Sequence, residues 1–206
     1  MAIKSTDLPP GQFVGKRWII YSAIGEPNIR LEDWRLSLTG LVEEELQLSF
    51  KDIQELPQVK MVRDFHCVTK WSIQNVAWEG VLFRDLASAA RVEREATWIM
   101  FHSADGYTAP VPIEDAMVDD SIIAFKINGE TISPKQGFPA RPFIPHLYGW
   151  KSAKWLTGIE FINGYRDGYW EMYGYHERGN VREEERFKGH IGKHAVRRSI
   201  GTAPIR

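Results

Sequence analysis

Short extended segments, each ended by glycine or proline, restrict the folds open to this chain more than any other feature of its sequence. In residues 34–39 apolar and polar side chains alternate, which is typical of a half-buried strand, and Gly40 ends the run. Further strands are predicted at residues 46–48, 59–65, 98–101, 122–127 and 154–163, and a brief extended segment at residues 18–22. The Asn128-Gly129 pair predicts a type I′ hairpin turn.

Helical patterns are few and short. Ser49 and Asp52 form a capping pair for a helix that Pro57 ends, residues 83–91 have helical spacing, and residues 112–116 suit one or two turns. The sequence therefore predicts a strand-rich α+β fold. We expect residues 1–206 to form one domain, with a flexible lead at 1–12 and a basic tail at about 187–206. The tail is either solvated or an arm that covers a neighbour or an acidic partner.

Composition excludes several classes of protein. Hydrophobic residues make up 43% of the chain and aromatic residues 12%, which is enough for a packed core. The formal net charge of −1 argues against a general nucleic-acid binder, and no run of 18 apolar residues could span a membrane. The first residues carry neither an apolar signal region nor a twin-arginine pair, and a chain with one cysteine has no internal disulfide. These features predict a cytoplasmic protein.

Cys67 is the single cysteine and lies in the most informative stretch of the chain, residues 64–80. A lone thiol is either a small apolar filler of the core or a reactive or metal-binding group. Its polar and aromatic neighbours, among them His66, Thr69 and Trp71, favour the rim of a site over a buried strand. A second stretch, residues 148–154, combines a glycine, a serine and two lysines, and by itself is either a solvated turn or an anion-binding segment.

Several motifs resemble the molybdopterin-binding domain of the sulfite oxidase family, especially its bacterial and archaeal stand-alone members. They are CVTKWS at residues 67–72, WEG at 78–80, GFPAR at 137–141 and YGWKSAKWL at 148–156. The resemblance extends over roughly residues 34–187. It implies the strand-rich mixed fold of that domain and an oxidoreductase that transfers an oxygen atom, with two electrons, to or from a small molecule or sulfoxide-type substrate. Electrons would be exchanged with a separate electron-transfer protein.

The resemblance also implies the cofactor and the residues that hold it. Cys67 matches the ligand of molybdenum (or tungsten) bound to molybdopterin, and a thiolate suits such a metal. Lys154 matches the cofactor's phosphate-binding segment, Lys151 the position of a substrate-facing residue, and Tyr107 a tyrosine beside the metal. The implied catalytic residues are Cys67, Tyr107 and Lys151. The implied cofactor-binding residues are Tyr21, Ser22, His66, Cys67, Val68, Thr69, Arg141, Lys151, Ser152 and Lys154.

Departures from the family pattern concern the substrate. Sulfite-oxidising members carry arginines at the positions of Tyr21, Ser72 and Lys151, so this chain lacks three planar donors suited to an oxyanion, which argues against sulfite. Two other readings stay open. One is an enzyme that uses Cys67 as a nucleophile with His66 or His102 as base, although neighbouring strand residues point to opposite faces. The other is a non-catalytic binding module on the same fold.

Overall fold

The computed structural model describes residues 8–189. The strands are β1 (Phe13–Val14), β2 (Arg35–Gly40), β3 (Leu46–Ser49), β4 (Gln58–His66), β5 (Trp71–Leu82), β6 (Trp98–Ser103), β7 (Thr108–Pro112), β8 (Ile122–Ile127), β9 (Glu130–Thr131), β10 (Arg141–Phe143) and β11 (Leu156–Ile162). The α-helices are α1 (Phe50–Glu55), α2 (Phe83–Ala89) and α3 (Ile113–Ala116), and single 3-10 turns occur at Pro134–Gln136, Gly149–Lys151 and Glu171–Tyr173.

These strands form two mixed sheets. The first has the order β1-β5-β8-β10, with β4 paired to β5 and β9 paired to β8. The second has the order β3-β2-β11-β6-β7, in which β11 runs parallel to β2 and antiparallel to β6. The longest pairing is the β4–β5 hairpin, which aligns Gln58 with Val81 at its base and His66 with Ser72 at its tip. The residue that follows His66 is Cys67, so this hairpin determines where the thiol lies.

The main core fills the space between the two sheets. Both faces of strand β8 are buried. Ile123 and Phe125 belong to the main core, while Ile122 and Ala124 belong to a second cluster on the other face. That alternation follows from the period of two along a strand. The second cluster packs against Cys67 in the loop between β4 and β5, residues 67–70, here called the cysteine loop. It contains Trp78, which is fully buried and stacks on Phe143 with ring centroids 3.8 Å apart.

Most predicted elements are confirmed. The strands predicted from residue 34 onward all form, and β2 pairs with β3 as expected from their alternation. Ser49 and Asp52 make the predicted capping box of α1, and Asn128-Gly129 joins β8 to β9 with both residues at positive φ. Pro112 precedes α3 instead of occupying its first position.

The extended segment predicted at residues 18–22 is not a strand. It lies in an irregular loop, and Trp18 packs against Phe65 with ring centroids 4.7 Å apart. Of the predicted flexible lead, residues 8–12 are described, and Pro9 is buried there. The predicted basic tail lies outside the described residues from position 190 onward, whereas Lys188 pairs with Asp167. Among residues 8–189, none of the helices has both the length and the apolar character needed to cross a bilayer.

We expect the Trp78→Ala substitution to lower the free energy of unfolding by about 3–5 kcal/mol, because it removes a fully buried ring from the cluster behind the cysteine loop. Urea denaturation followed by circular dichroism measures this loss. The matched comparison is Ser49→Ala, which removes only the cap of α1 and should cost about 1 kcal/mol. Equal losses in the two variants would contradict the packing described for Trp78.

Candidate active site

Cys67 lies in a tight loop at the tip of the β4–β5 hairpin. The loop closes on itself, since the Cys67 amide donates to the Trp71 carbonyl (2.9 Å) and the Lys70 amide donates to the Cys67 carbonyl (3.1 Å). Lys70 adopts a φ of +79°, which lets the chain reverse within these few residues. The thiol is half-buried, and its sulfur lies 3.2 Å from the Thr69 hydroxyl oxygen. A hydroxyl at that distance can donate a hydrogen bond to a thiolate.

The thiol faces a cavity of about 430 Å³. Eight of the residues implied by the family resemblance line this cavity, although they come from segments far apart in the chain. They are Tyr21, Cys67, Val68, Thr69, Tyr107, Arg141, Ser152 and Lys154. The fold therefore brings the candidate metal ligand and the candidate phosphate-binding residues to one site. The cavity lies between the two specific motifs on which the resemblance depends.

Much of the cavity wall is aromatic, and the sequence motifs did not indicate that most of these side chains belong to the site. The additional lining residues with rings are Trp18, Phe65, Trp71, Trp150, Trp155, Trp170 and Tyr175. Residues 18–23, here called the covering segment, supply much of one side of the cavity. For Trp71, Trp150, Trp170 and Tyr175 the available signal was their position outside the predicted strands and helices, since aromatic side chains in loops often line binding sites.

Arg141, at the start of β10, is buried beside the cavity. Its Nε donates to the Ser152 hydroxyl (2.9 Å), its Nη2 to the Ser152 carbonyl (2.9 Å) and its Nη1 to the Gln136 carbonyl (2.8 Å). Burial lowers the pKa of Arg141 to about 10, which still leaves the guanidinium charged at neutral pH. Because a guanidinium has five N–H donors, this arrangement leaves donors for a ligand.

The Lys154 side chain connects the covering segment with the 3-10 turn at Pro134–Gln136. Its ammonium donates to the Tyr21 carbonyl (2.9 Å), the Ser22 hydroxyl (2.7 Å) and the Lys135 carbonyl (3.3 Å), and it lies 4.2 Å from the centre of the Trp155 ring. Burial, and secondly the charge of Arg141, lower the pKa of Lys154 to about 8. Two predicted cofactor-binding residues, Tyr21 and Ser22, are therefore held against Lys154 although they lie more than 130 positions away.

These features fit a cofactor that carries a phosphate and a soft metal. Among the described residues, neither Arg141 nor Lys154 is hydrogen-bonded to a carboxylate, so two positive charges lie beside the cavity without a directly bound acidic partner. The carboxylate of Asp105 also lines the cavity. A phosphate dianion would supply the missing negative charge, and the thiol of Cys67 supplies the soft ligand.

Gly149 allows the cavity wall to pack closely on the hairpin. A Cβ atom at this position would lie 2.2 Å from the Phe65 ring, which is far inside normal contact distance. The same Phe65 ring lies 5.7 Å from the guanidinium carbon of Arg141. The glycine of the YGWKSAKWL motif is thus required by the approach of Phe65, a requirement that the motif alone does not reveal.

Tyr107 lines the cavity and its hydroxyl donates to the Trp150 carbonyl. Burial raises the pKa of Tyr107 well above its ordinary value, and the negative charge of Glu171 adds to this rise. The phenol is therefore neutral over the physiological pH range. Rotation about the C–O bond can direct the hydroxyl hydrogen toward a ligand in the cavity. Loss of that proton to form a phenolate is disfavoured.

Lys151 does not line the cavity. Its ammonium is almost fully buried and donates to the Glu171 carboxylate (2.7 Å) and the Pro110 carbonyl (2.7 Å). The same carboxylate accepts from the Trp150 indole (2.8 Å), and Trp150 does line the cavity. The Lys151–Glu171 ion pair thus holds one aromatic wall in place, and the ammonium points away from the space that a substrate would occupy.

The histidines named in the cysteine-nucleophile reading also lie outside the cavity lining. The buried ring of His66 contacts the Ser72 hydroxyl through Nδ1 (2.8 Å), and burial lowers the pKa of His66 to about 4. His102, on β6, contacts the Glu160 carboxylate (2.8 Å). Within the part of the chain that the structure describes, no histidine lines the cavity beside Cys67, so this geometry does not favour a cysteine–histidine pair.

Comparisons with known proteins agree with this site. The oxidoreductase molybdopterin binding domain family matches residues 23–170. A relative named uncharacterized oxidoreductase YuiH, from Bacillus subtilis, is 38% identical over 185 residues, covering 89% of this chain and 93% of the relative. The protein-methionine-sulfoxide reductase catalytic subunit MsrP of Campylobacter jejuni is 28% identical over 169 residues, covering 74% of this chain and 57% of that protein.

The fold is also similar to a solved structure. The sulfane dehydrogenase SoxCD from Paracoccus pantotrophus superimposes with a TM-score of 0.62 at 25% identity, covering 68% of this chain and 41% of that chain. This likeness confirms the strand-rich mixed fold implied by the sequence motifs. The family match and the relative from Bacillus subtilis together identify the class of enzyme and its cofactor. The chain belongs to the oxidoreductase molybdopterin-binding domain family and is a molybdopterin-dependent oxidoreductase of the sulfite oxidase type.

Proposed function

We propose that this protein transfers an oxygen atom, with two electrons, to or from a neutral sulfoxide-type small molecule at the cavity beside Cys67. The observation that carries the proposal is the shared cavity: the candidate metal ligand, Cys67, and the candidate phosphate-binding residues, Arg141 and Lys154, all line it. The bound molybdenum (or tungsten) cofactor would supply the redox chemistry, while the protein positions it and controls its surroundings.

Each cavity residue has a proposed part in holding the cofactor. Cys67 provides the thiolate ligand, and the Thr69 hydroxyl donates to its sulfur. Arg141 and Lys154 neutralise the phosphate. Ser152 orients the guanidinium, because its hydroxyl accepts from Arg141 and donates to the Pro142 carbonyl. Lys151 has no proposed contact with the substrate, since its ammonium is bound to Glu171.

The charges of the cavity support a neutral substrate. Among the described residues, the basic side chains that line the cavity are Arg141 and Lys154, and both are assigned to the cofactor phosphate. No basic side chain of that lining then remains for an oxyanion, while the aromatic walls offer apolar contact to the carbon substituents of a sulfoxide. The relative MsrP is named a protein-methionine-sulfoxide reductase, and the reduction of a sulfoxide is a reaction of the proposed kind.

Tyr107 is proposed to assist the reaction as a neutral donor. Its hydroxyl proton, now donated to the Trp150 carbonyl, would be redirected to the oxygen of the substrate by rotation about the C–O bond. Such a donor stabilises negative charge that develops on that oxygen without becoming ionised. Electrons would be exchanged with a separate protein, in keeping with the name of MsrP as a catalytic subunit. The cytoplasmic location and the single-domain organisation stay predictions.

The first test replaces the candidate metal ligand. Protein purified from a host that makes molybdopterin should contain molybdenum or tungsten, measured by plasma mass spectrometry. The rate at which Cys67→Ser reduces dimethyl sulfoxide with a dye as electron donor should fall by more than the roughly 10–100-fold that is typical of changes in residues that only support a metal ligand. The variant should unfold at the same urea concentration as the parent. A parent protein that binds neither metal would overturn the proposal.

The second test concerns the phosphate-binding charge. In cofactor-free protein with 13C-methylated lysines, the Lys154 resonance should titrate with a midpoint of about 8. Inorganic phosphate should raise this midpoint, because a dianion favours the charged ammonium. Phosphate affinity should therefore fall as the pH rises above about 8.

Two variants make this titration specific. Lys154→Met identifies the resonance by removing it, and Lys135→Met does the same for a neighbouring lysine whose side chain is exposed. The resonance of Lys135 should not respond to phosphate. A Lys154 midpoint near the ordinary value of about 10.4, or one that phosphate leaves unchanged, would contradict the assignment.

The third test compares substrates of different charge. With one dye as electron donor, dimethyl sulfoxide and methionine sulfoxide should be reduced with a higher kcat/KM than nitrate, by about 10-fold or more, the factor expected for one missing charge-assisted hydrogen bond. The KM for dimethyl sulfoxide should be unchanged between low and high salt, since the screening of surface charges affects charged ligands. Efficient, salt-sensitive turnover of nitrate or sulfite would sink the neutral-substrate proposal.

A further inference from the structure

The loop that carries Cys67 is held from outside by segments that lie beyond the family match at residues 23–170. The Gln12 side-chain amide donates to the Cys67 carbonyl (3.0 Å), and the Phe13 amide donates to the Lys70 carbonyl (2.8 Å). The guanidinium of Arg186 donates to the Val68 carbonyl through Nη1. Three carbonyls of the loop therefore depend on donors from the two ends of the described chain.

Arg186 is the most deeply placed of these donors. It is only 8% exposed, and its guanidinium lies 4.8 Å from the centre of the Tyr148 ring. Its Nη2 also donates to the Pro10 carbonyl (3.3 Å), so one side chain connects the N-terminal segment, the cysteine loop and the wall beside Gly149. The N-terminal segment also approaches Glu184 closely at Gly11, where a Cβ atom would lie 2.7 Å from Oε1 of Glu184 and 3.3 Å from Nη2 of Arg186.

Gln12 contacts both sides of the hairpin tip. Its Nε2 donates to the Cys67 carbonyl, while its Oε1 accepts from the Ser72 hydroxyl (3.2 Å). The same hydroxyl oxygen lies within hydrogen-bond distance of Nδ1 of His66, at 2.8 Å. A chain of hydrogen bonds thus runs from His66 through Ser72 and Gln12 to the backbone of the metal-ligand position.

Within the loop, two backbone bonds close the turn, Cys67 to Trp71 and Lys70 to Cys67. The Cys67, Val68 and Lys70 carbonyls in addition accept from residues outside the loop. A metal ligand must be held within about 0.5 Å of its productive position. Gln12 donates to the Cys67 carbonyl and Arg186 to the Val68 carbonyl, so the two peptide groups that follow the Cys67 side chain each have a donor from outside the loop.

We propose that Gln12 and Arg186 are positioning residues for Cys67, which hold the cysteine loop so that the thiol points into the cavity. The proposal rests on the proposed function in one respect, the assignment of Cys67 as metal ligand. It extends that function by making the two chain segments outside residues 23–170 part of the support for the site. Arg186 is not a catalytic residue in this account, since it contacts only protein groups.

The test uses Arg186→Met, with Arg186→Lys as the conservative variant. The matched control is Arg178→Met, because Arg178 makes two bonds of 2.7 Å to the Asp115 carboxylate and so anchors the same C-terminal segment without touching the loop. In cofactor-free protein, iodoacetamide can alkylate only Cys67. We expect Arg186→Met to raise the alkylation rate about 10-fold, the factor that corresponds to one lost charge-assisted hydrogen bond. Arg178→Met should stay within about twofold of the parent, and Arg186→Lys should fall between them.

A second measurement uses the loaded enzyme. The electron paramagnetic resonance signal of Mo(V) depends on the orientation of the thiolate ligand, so Arg186→Met should shift it and Arg178→Met should not. Gln12→Leu provides the same tests if Arg186→Met does not fold, because it removes the donor to the Cys67 carbonyl and leaves the ion pairs of the C-terminal segment intact. We expect it to raise the alkylation rate and shift the signal in the same directions.

The outcomes separate this proposal from the proposed function. Equal alkylation rates in Arg186→Met and Arg178→Met would show that Arg186 is only a general anchor, and would overturn the proposal. Unchanged alkylation together with an unchanged Mo(V) signal would overturn it as well, while the proposed function would stand. If alkylation responds as expected but the parent protein never binds molybdenum or tungsten, the positioning of the loop stands and the proposed function fails.

Discussion

The reversal of the chain between β4 and β5 is the constraint on which the site depends. A long antiparallel hairpin carries the chain to His66, and the turn that follows leaves only a few residues before β5 begins at Trp71. A thiol placed in such a turn cannot be buried in the sheet, because the strand period no longer assigns it to a face. It is instead presented to the cavity, beside the hydroxyl of Thr69.

Electrostatics is the basis of the proposal that this cavity binds a phosphate-bearing cofactor and a neutral substrate. Arg141 and Lys154 are partly or fully removed from water and bind uncharged oxygen atoms in the described structure, and burial lowers the pKa of both. Such groups gain most from a nearby anion. Lys151, by contrast, already has its anion in Glu171, and this pair serves the wall that contains Trp150. The segment from Arg141 to Lys154 thus carries two kinds of cation: Arg141 and Lys154 are available to a ligand, whereas Lys151 is already paired.

Local pattern predicted most of the strands and helices, and motif resemblance predicted part of the cavity lining. The alternation at residues 34–39 predicts a strand because one face is buried, and Asn128-Gly129 predicts a hairpin because both residues adopt positive φ readily. The residues that the motif resemblance singled out include Cys67, Arg141 and Lys154, and these three line one cavity.

Other features depend on partners far away in the chain, and no local pattern contains them. The direction of the Lys151 side chain is set by Glu171, and the support of the cysteine loop by Arg186, which is 118 positions from Val68. The covering segment has the composition of a strand, yet it packs on the hairpin through Trp18 without joining a sheet.

The central claim is that the sulfur of Cys67 binds the metal, and X-ray absorption at the molybdenum edge measures this directly. The account predicts that the parent protein shows one more sulfur neighbour around molybdenum than the pterin dithiolene alone supplies, and that Cys67→Ser loses that neighbour while other scatterers remain. A sulfur shell that is the same in the parent protein and the variant would contradict it.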